Sequence, residues 1–595
     1  MRRTSRKETP EMTRRLVDDR GMGMVMVIAV TAIMATLVIA ATAMALSSQR
    51  HGKRTADWDA ALAAAYAGVE DYRSNVTRDS SYWRYGNPAA PFTVASGSAA
   101  TVMPPPAPNP AFGLGAEGSW ATVPGSDSAA RFRYEVDTST YQTNGLIRVR
   151  STGAVGERTR SVVAAINQEG FIRFLYWSDY EVPVMFVDTP SCKDNNWDTT
   201  HNRLKYAWEG RTYDCGGIQF ASSDVIDGPL YTNDHLTICG ATFNDVVYTM
   251  TTMTPKYTDN GCGEPTFAVA GSPTTPPTRI DLPPTNAEMK REVRYDLPAD
   301  VPDPGCLYTG PTSITFTGDG YMRVRSPWTR FTQVAGTGAT SGTNNASRCG
   351  MPGAATGQLG SDDGAKVPVV EGSLVFVQNV PSVPTDVNYT AQTAATRTAL
   401  CGASDDSTNG VGYPATGESA DIGTYGCTVG DAFVSGVLRG HTTITAENDL
   451  WVVDDITYAT DDDVLGLVGQ TSVTVWHPLK SHDEYDYDDL LPGTDRTIEA
   501  AILSVTGTFQ VQNYMWGNPI GTLTVRGSIT QKYRGPVGTS FGDMRASGYD
   551  KSYHYDSRFQ TISPPKFLKA TVTTFQATQF AEVSPAFDAT GNALS

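Results

Sequence analysis

The chain has 595 residues, 56 of them glycine and 36 proline, with 18% charged residues and a formal charge of −17. That length exceeds one compact core and the acidic balance excludes nucleic acid as a partner, while the turn-rich composition points to a mainly β ectodomain held in solution by its charge. Eight cysteines, at positions 192, 215, 239, 262, 306, 349, 401 and 427, all lie in the C-terminal three quarters of the chain.

Residues 1–21 form a basic leader with seven basic and four acidic residues, so the −17 of the whole chain becomes −20 beyond it. Met22 to Leu46 follow as 25 residues without a charge. A helix of that length reaches roughly 37 Å and crosses a hydrocarbon core of about 30 Å with some tilt. The positive-inside rule places the leader in the cytoplasm and everything after Ser47 outside, a single-pass protein of the bacterial cell membrane. Trp58, Leu62, Tyr66, Val69, Tyr72 and Val76 then recur at three- and four-residue steps, so the helix is expected to continue to about Arg78 with one apolar face. Gly52 is a place where such a helix bends or melts, because glycine costs about 1 kcal/mol against alanine in a helix interior.

The junction Arg20-Gly21 followed by Met22, with an uncharged helix running into an Ala-rich amphipathic one, resembles the class III signal of type IV prepilins. The resemblance implies that a prepilin peptidase cuts after Gly21 and leaves Met22 as the mature N-terminus. Most members carry Glu at the fifth mature position, whereas this chain has Met26, a departure shared with PilX-like minor pilins and some pseudopilins. Two other readings stand beside it: an uncleaved signal anchor, and signal-peptidase cleavage at Ala41-Thr42-Ala43 or Ala43-Met44-Ala45. The second fits poorly, since the apolar stretch exceeds the usual signal-peptide core of about 7 to 15 residues.

From residue 79 to 169 the reading is a linker and a β head. Met103 to Pro110 is Pro-rich and extended. Phe132 to Val136, Leu146 to Ser151 and Arg158 to Ile166 alternate apolar and polar around turns at Asn144-Gly145 and Gly153 to Gly156, which predicts antiparallel hairpins. The run STGAVGERTRSVVAAI, and more diffusely residues 430 to 568, resemble PilX-like pilus-assembly proteins. That likeness implies a structural role with other pilin subunits, the assembly machinery and prepilin peptidase as partners. It brings no catalytic residue and no cofactor.

Residues 170–545 contain short β-rich pieces with Gly and Asn at corners. Ile444 to Leu465 and Ala500 to Leu523 suggest a period near 20, the pattern of a right-handed parallel β-helix with loop insertions at 260 to 300 and 330 to 415; β-sandwich-type domains are the alternative. Residues 546–595 are read as a C-terminal extension or cap. With no Cys-x-x-Cys, the cysteines read as disulfides, neighbour with neighbour being the simplest pairing. Acidic runs at Asp461 to Asp463 and around Asp483 to Asp489 match no calcium-loop pattern and read as solvated loops, so no metal site is expected. No nucleophile or metalloprotease motif occurs, and the chain is not read as an enzyme. Trp451, Tyr458, Trp476, Tyr514 and Trp516 supply either a glycan-stacking surface, the basis of an alternative reading as a membrane-anchored adhesion module, or core aromatics of a β stack.

Overall fold

The computed structural model describes residues 22–79, 81–115, 119–126, 129–141, 146–168, 170–259, 261–276, 279–483, 486–491, 493–541, 544–570 and 575–594. The leader, Gly21 included, and the Asn144-Gly145 turn lie outside these residues. The architecture is mainly β with one long N-terminal helix.

Helix α1 spans Met22–Arg78 without interruption, and a Cβ added at Gly52 inside it would meet nothing within 4 Å beyond the helix's own backbone. One unfavourable glycine does not break a helix surrounded by alanine and other good helix formers. The last five turns lie across a five-stranded antiparallel sheet. Four of its strands are consecutive: β1 (Ala121–Thr122), β2 (Ala130–Asp137), β3 (Leu146–Val155) and β4 (Arg158–Gln168). The fifth is Phe575–Val583, from the far end of the chain, which pairs antiparallel with β4 in a register from Phe575 opposite Gln168 to Val583 opposite Ser161. The segment assigned from sequence to a C-terminal extension therefore supplies the edge strand of this sheet, and residues 170–570 are an excursion between its last two strands.

Ala65, Val69, Tyr72 and Val76 of α1 share one buried cluster with Phe132, Tyr134, Val149, Val162, Ile166 and Phe575. The Pro-rich segment is largely exposed, and its flanks tie it to the same cluster through Val102, Ala111 and Phe112.

Residues beyond 170 build a 21-stranded mixed sheet. Most of its pairings are parallel and fall into ladders. One runs through Cys306–Thr309, Ser373–Gln378, His441–Ala446, Val464–Gly469, the end of Arg496–Ser504, the end of Pro519–Tyr533, Tyr176–Tyr180, Leu230–Thr232 and Val247–Thr249. A second joins Thr312–Thr317, Ala432–Leu438, Leu450–Tyr458, Val473–Val475 and Phe509–Val511. A third passes from the start of Arg496–Ser504 through Pro519–Tyr533 and Met544–Tyr555 to Val225–Asp227, Thr242–Phe243 and Thr266–Phe267. Antiparallel pairings of Tyr321–Arg325 with Thr312–Thr317 and with Ala365–Pro368 make the sheet mixed at one end.

The register differs from the sequence period. Ile444 pairs with Leu467, not Leu465, and Ala500 with Gly527, not Leu523. The intervals between paired strands are unequal, and the hairpin of Leu479–Asp483 with Asp486–Asp489 lies in the longer one between Val468 and its partner Leu503. Alternate residues face inward: Val434, Val452, Val475 and Val511 share the central core, while Phe433 and Trp451 between them point outward into a separate cluster with Val411 and Tyr425.

The order of strands along the ladders is not their order in sequence. The chain enters the sheet mid-ladder at Tyr176–Tyr180, runs outward to Thr266–Phe267, then returns to the opposite end at Cys306 and works back. The return segment is tied down as it passes: Ile280 N donates to Tyr231 Oη at 3.1 Å, and Asn286 Nδ2 donates to Ala446 O at 2.7 Å. Four disulfides, Cys192–Cys215, Cys239–Cys262, Cys306–Cys349 and Cys401–Cys427, staple the excursions, and no cysteine among the described residues is free.

Candidate assembly surface on the N-terminal helix

The two halves of α1 live in different environments. From Met24 to Leu46 the large apolar side chains are all exposed, Met26 at 71% and Leu46 at 55%, and the most apolar 18-residue window has nothing buried against it. A bare apolar surface of this extent marks an interaction site, and its length and hydropathy suit a bilayer. Its polar groups are satisfied internally. Thr31 and Thr42 donate from Oγ1 to the carbonyls of Val27 and Val38, both at 2.8 Å, so no hydroxyl has to seek water. The apolar half of this helix fits a single-pass membrane anchor.

The lower half of α1 is held by backbone proximity. A Cβ on Gly153 of β3 would lie 2.1 Å from Ala61 O and 2.3 Å from Ala65 N; on the helix side, a Cβ on Gly68 would meet Ser151 Oγ at 2.2 Å. Only glycine on both elements lets helix and strand approach so closely. Around this contact Asp71 Oδ2 accepts from Tyr134 Oη at 2.9 Å, and Asn109 Nδ2 donates to Tyr134 Oη at 2.8 Å and Tyr82 Oη at 2.9 Å. Burial raises the Asp71 carboxyl above its usual range, partly offset by the Tyr134 hydrogen bond.

The C-terminal strand clamps the helix from the other side. Arg73 Nη1 donates to Phe575 O at 3.2 Å, Phe575 N donates to Thr77 Oγ1 at 3.2 Å, and Tyr66 meets Phe580 with ring centroids 5.3 Å apart. Arg160 bridges to Glu582 at 2.6 Å and lies 4.8 Å over the Trp58 ring. Neither the glycine contact nor this clamp was found from sequence. Gly68 and Gly153, one on each packed face, carry the signal that went unread for the first; nothing local signals the second.

Of the residues singled out from sequence, Met22 opens α1 and Gly21 lies outside the described residues. Asp463 caps its own loop, accepting from Gly440 N at 2.7 Å and Thr460 N at 2.6 Å. Asp489 accepts from Asn518 Nδ2 at 3.0 Å and contacts His477 Nε2 at 2.9 Å. Trp451 is covered, stacked on Phe433 at 6.2 Å, and Trp476 meets Tyr413 edge-on at 5.3 Å. Trp516 stays 38% exposed beside Tyr487, ring centroids 5.3 Å apart.

Where the first-entering coil meets the last-returning ones, two buried ion pairs join them. Arg534 donates from Nη1 to Glu181 Oε2 at 3.0 Å, and Lys551 Nζ contacts Asp224 Oδ2 at 2.6 Å. Arg534 also lies 3.6 Å over the Phe220 ring. Burial lowers Lys551 and opposes Asp224, yet the lysine holds Asp224 below its usual range.

No protein-family model matches the chain, and no curated protein does. Three solved chains match. One is the crystal structure of the competence-associated pilin ComZ from Thermus thermophilus, at 12% identity over 89% of this chain and 98% of that one, with a TM-score of 0.22.

Proposed function

We propose that this chain is a minor, pilin-like structural subunit of a type IV pilus or related secretion filament, processed after Gly21 and present in low copy, at or near one end. The observation that carries the reading is the division of α1. One unbroken helix presents a bare apolar half of membrane length and buries its other half on an antiparallel head, so the same rod serves as bilayer anchor before assembly and as filament-core element after it. The Arg20-Gly21 junction before Met22 supports processing.

The parallel ladders support a right-handed parallel β-helix as the form of the 170–545 body. Its bulk favours low copy number, because a body of this size on every subunit would crowd a close-packed shaft. Met26 in place of an acid removes the charge that offsets a neighbour's terminal amine, and an unpaired charge in a packed apolar core costs several kcal/mol. An end position relieves part of that cost, since one side of the helix has no preceding neighbour. The proposal assigns no enzymatic step and no cofactor.

Coexpression with a prepilin peptidase is expected to give a mature N-terminus at Met22, and Gly21→Ala to block it. Deletion is expected to reduce filament number sharply, with immunogold label at one filament end. Dense label along the shaft overturns the low-copy reading, and an N-terminus at residue 1 or near Ser47 overturns the pilin reading. The exposed Trp516 beside Tyr487 favours a second reading, a membrane-anchored module that binds surface glycans by ring stacking. Label confined to the cell surface, with glycan-array binding lost in Trp516→Ala, would select it.

A further inference from the structure

The head and the helix together present a basic collar at the membrane-proximal end of an otherwise acidic protein. Residues 22–56 contain three basic residues, Arg50, Lys53 and Arg54, and no acid. All three are exposed, and within the described residues none has an acidic partner. Arg50 and Arg54 continue the stripe Ala61, Ala65 and Tyr72 that faces the head, at steps of four and seven residues, so they project beneath the head rather than away from it.

The β3–β4 turn reaches down to the same level. A Cβ on Gly156 would lie 3.9 Å from Asp57 Oδ2, which sets the turn at the height of Asp57 on the helix; Arg158 there is exposed beside the acids Glu157 and Asp57, so the net positive charge of the collar comes from Arg50, Lys53 and Arg54 below it. At 1.5 Å per residue, Arg54 and Arg50 lie about 5 and 10 Å nearer the membrane than that turn, and Leu46, the last apolar residue, about 16 Å. Arg50, about 6 Å beyond Leu46, therefore lies within the headgroup layer of about 5 to 8 Å, and Lys53, Arg54 and the turn follow just outside it, within about a Debye length.

We propose that Arg50, Lys53, Arg54 and Arg158 form a docking collar for anionic phospholipid headgroups on the outer face of the membrane. This rests on the reading of residues 22–46 as a membrane anchor. The occupant follows from charge and continuity: the collar is the first polar turn after the apolar span, and lipid phosphate is the anion found at that depth. Beyond the leader the chain carries a net −20, which repels an anionic leaflet within a Debye length of about 8 Å, and the collar reverses that sign where the protein meets the bilayer. The collar would hold the head against the membrane until assembly withdraws the helix.

The test is lipid selectivity of the full chain in phosphatidylcholine nanodiscs, using trace spin-labelled phosphatidylglycerol or phosphatidylcholine and measuring the motionally restricted fraction of each. The expected result is a preference of about threefold or more for phosphatidylglycerol, falling as salt is raised, and reduced to parity in R50Q/K53Q/R54Q/R158Q with its disulfides and circular dichroism unchanged. Equal restriction of the two lipids by the native chain overturns the collar while leaving the anchor intact. A preference that survives the quadruple substitution also overturns it. No restricted lipid of either kind overturns anchor and collar together. Lipid parity combined with loss of filament incorporation in the quadruple variant also overturns it, and identifies an acidic face of a neighbouring subunit as the occupant.

Discussion

Gly153→Ala tests how α1 is fastened to the head. The added methyl would lie 2.1 Å from Ala61 O, 2.3 Å from Ala65 N and 2.7 Å from Ala64 C, all backbone atoms of a regular helix that cannot swing aside as a side chain could. Restoring an ordinary contact of 3.4 Å requires helix and strand to part by about 1.3 Å. The buried side chains on this face, Ala61, Ala64, Ala65, Val69, Tyr72 and Val76, would each lose contact. Overpacking of this kind costs about 1 to 3 kcal/mol, and the rigidity of both partners places the expected loss near 3 kcal/mol. That corresponds to roughly a hundredfold larger opening equilibrium, readable by amide hydrogen exchange of residues 61–76 in the full chain in detergent micelles. Gly52→Ala is the internal control, since no atom lies within 4 Å of its would-be Cβ and helix propensity alone predicts stabilisation by about 1 kcal/mol. Unchanged exchange at 61–76 in Gly153→Ala, or the same sign of effect for both glycines, would refute the close-contact argument.

Truncation after residue 570 removes the edge strand and, with it, Phe575 from the head core and Glu582 from Arg160; exchange of β4 amides should rise by more than tenfold while the 441–475 ladder keeps its protection. Arg534→Met should destabilise the body by about 3 to 5 kcal/mol, because it strands Glu181, only 1% exposed, and adding Glu181→Gln should recover much of the loss in denaturant unfolding. Asp431 and Asp449 sit on neighbouring coils, Asp449 N donating to Asp431 Oδ1 at 3.2 Å, and burial pushes both carboxyls up, Asp449 to about 6. The native state thus binds protons that the unfolded chain releases near pH 4, and this contribution fades as pH rises through about 6. Asp449→Asn should therefore raise stability by at least about 1 kcal/mol at pH 8 and by little at pH 4; a constant difference across that range would disprove the assignment.

The chain's long-range organisation was legible only in part. A run of 25 uncharged residues needs no tertiary context to declare itself, because its length and composition match a bilayer whatever the rest of the chain does. The same holds for the face of α1 bearing Val69, Tyr72 and Val76, whose 3.6-residue period is a property of the helix itself. Alternating β-branched pieces likewise announced strands, since a strand's period is local. Which strand lies beside which is decided elsewhere. Phe575–Val583 reads like any short strand, and only the closure of the head sheet some 400 residues upstream in sequence gives it β4 as a partner. Leu465 and Leu467 are equally apolar, and only the pairing of the assembled ladder sets Leu467 opposite Ile444. The ion pairs of Glu181 with Arg534 and Asp224 with Lys551 exist because the stack interleaves its first coil with its last. Local chemistry determined the elements of this protein, while their order in space was decided by burial that only distant segments can supply together.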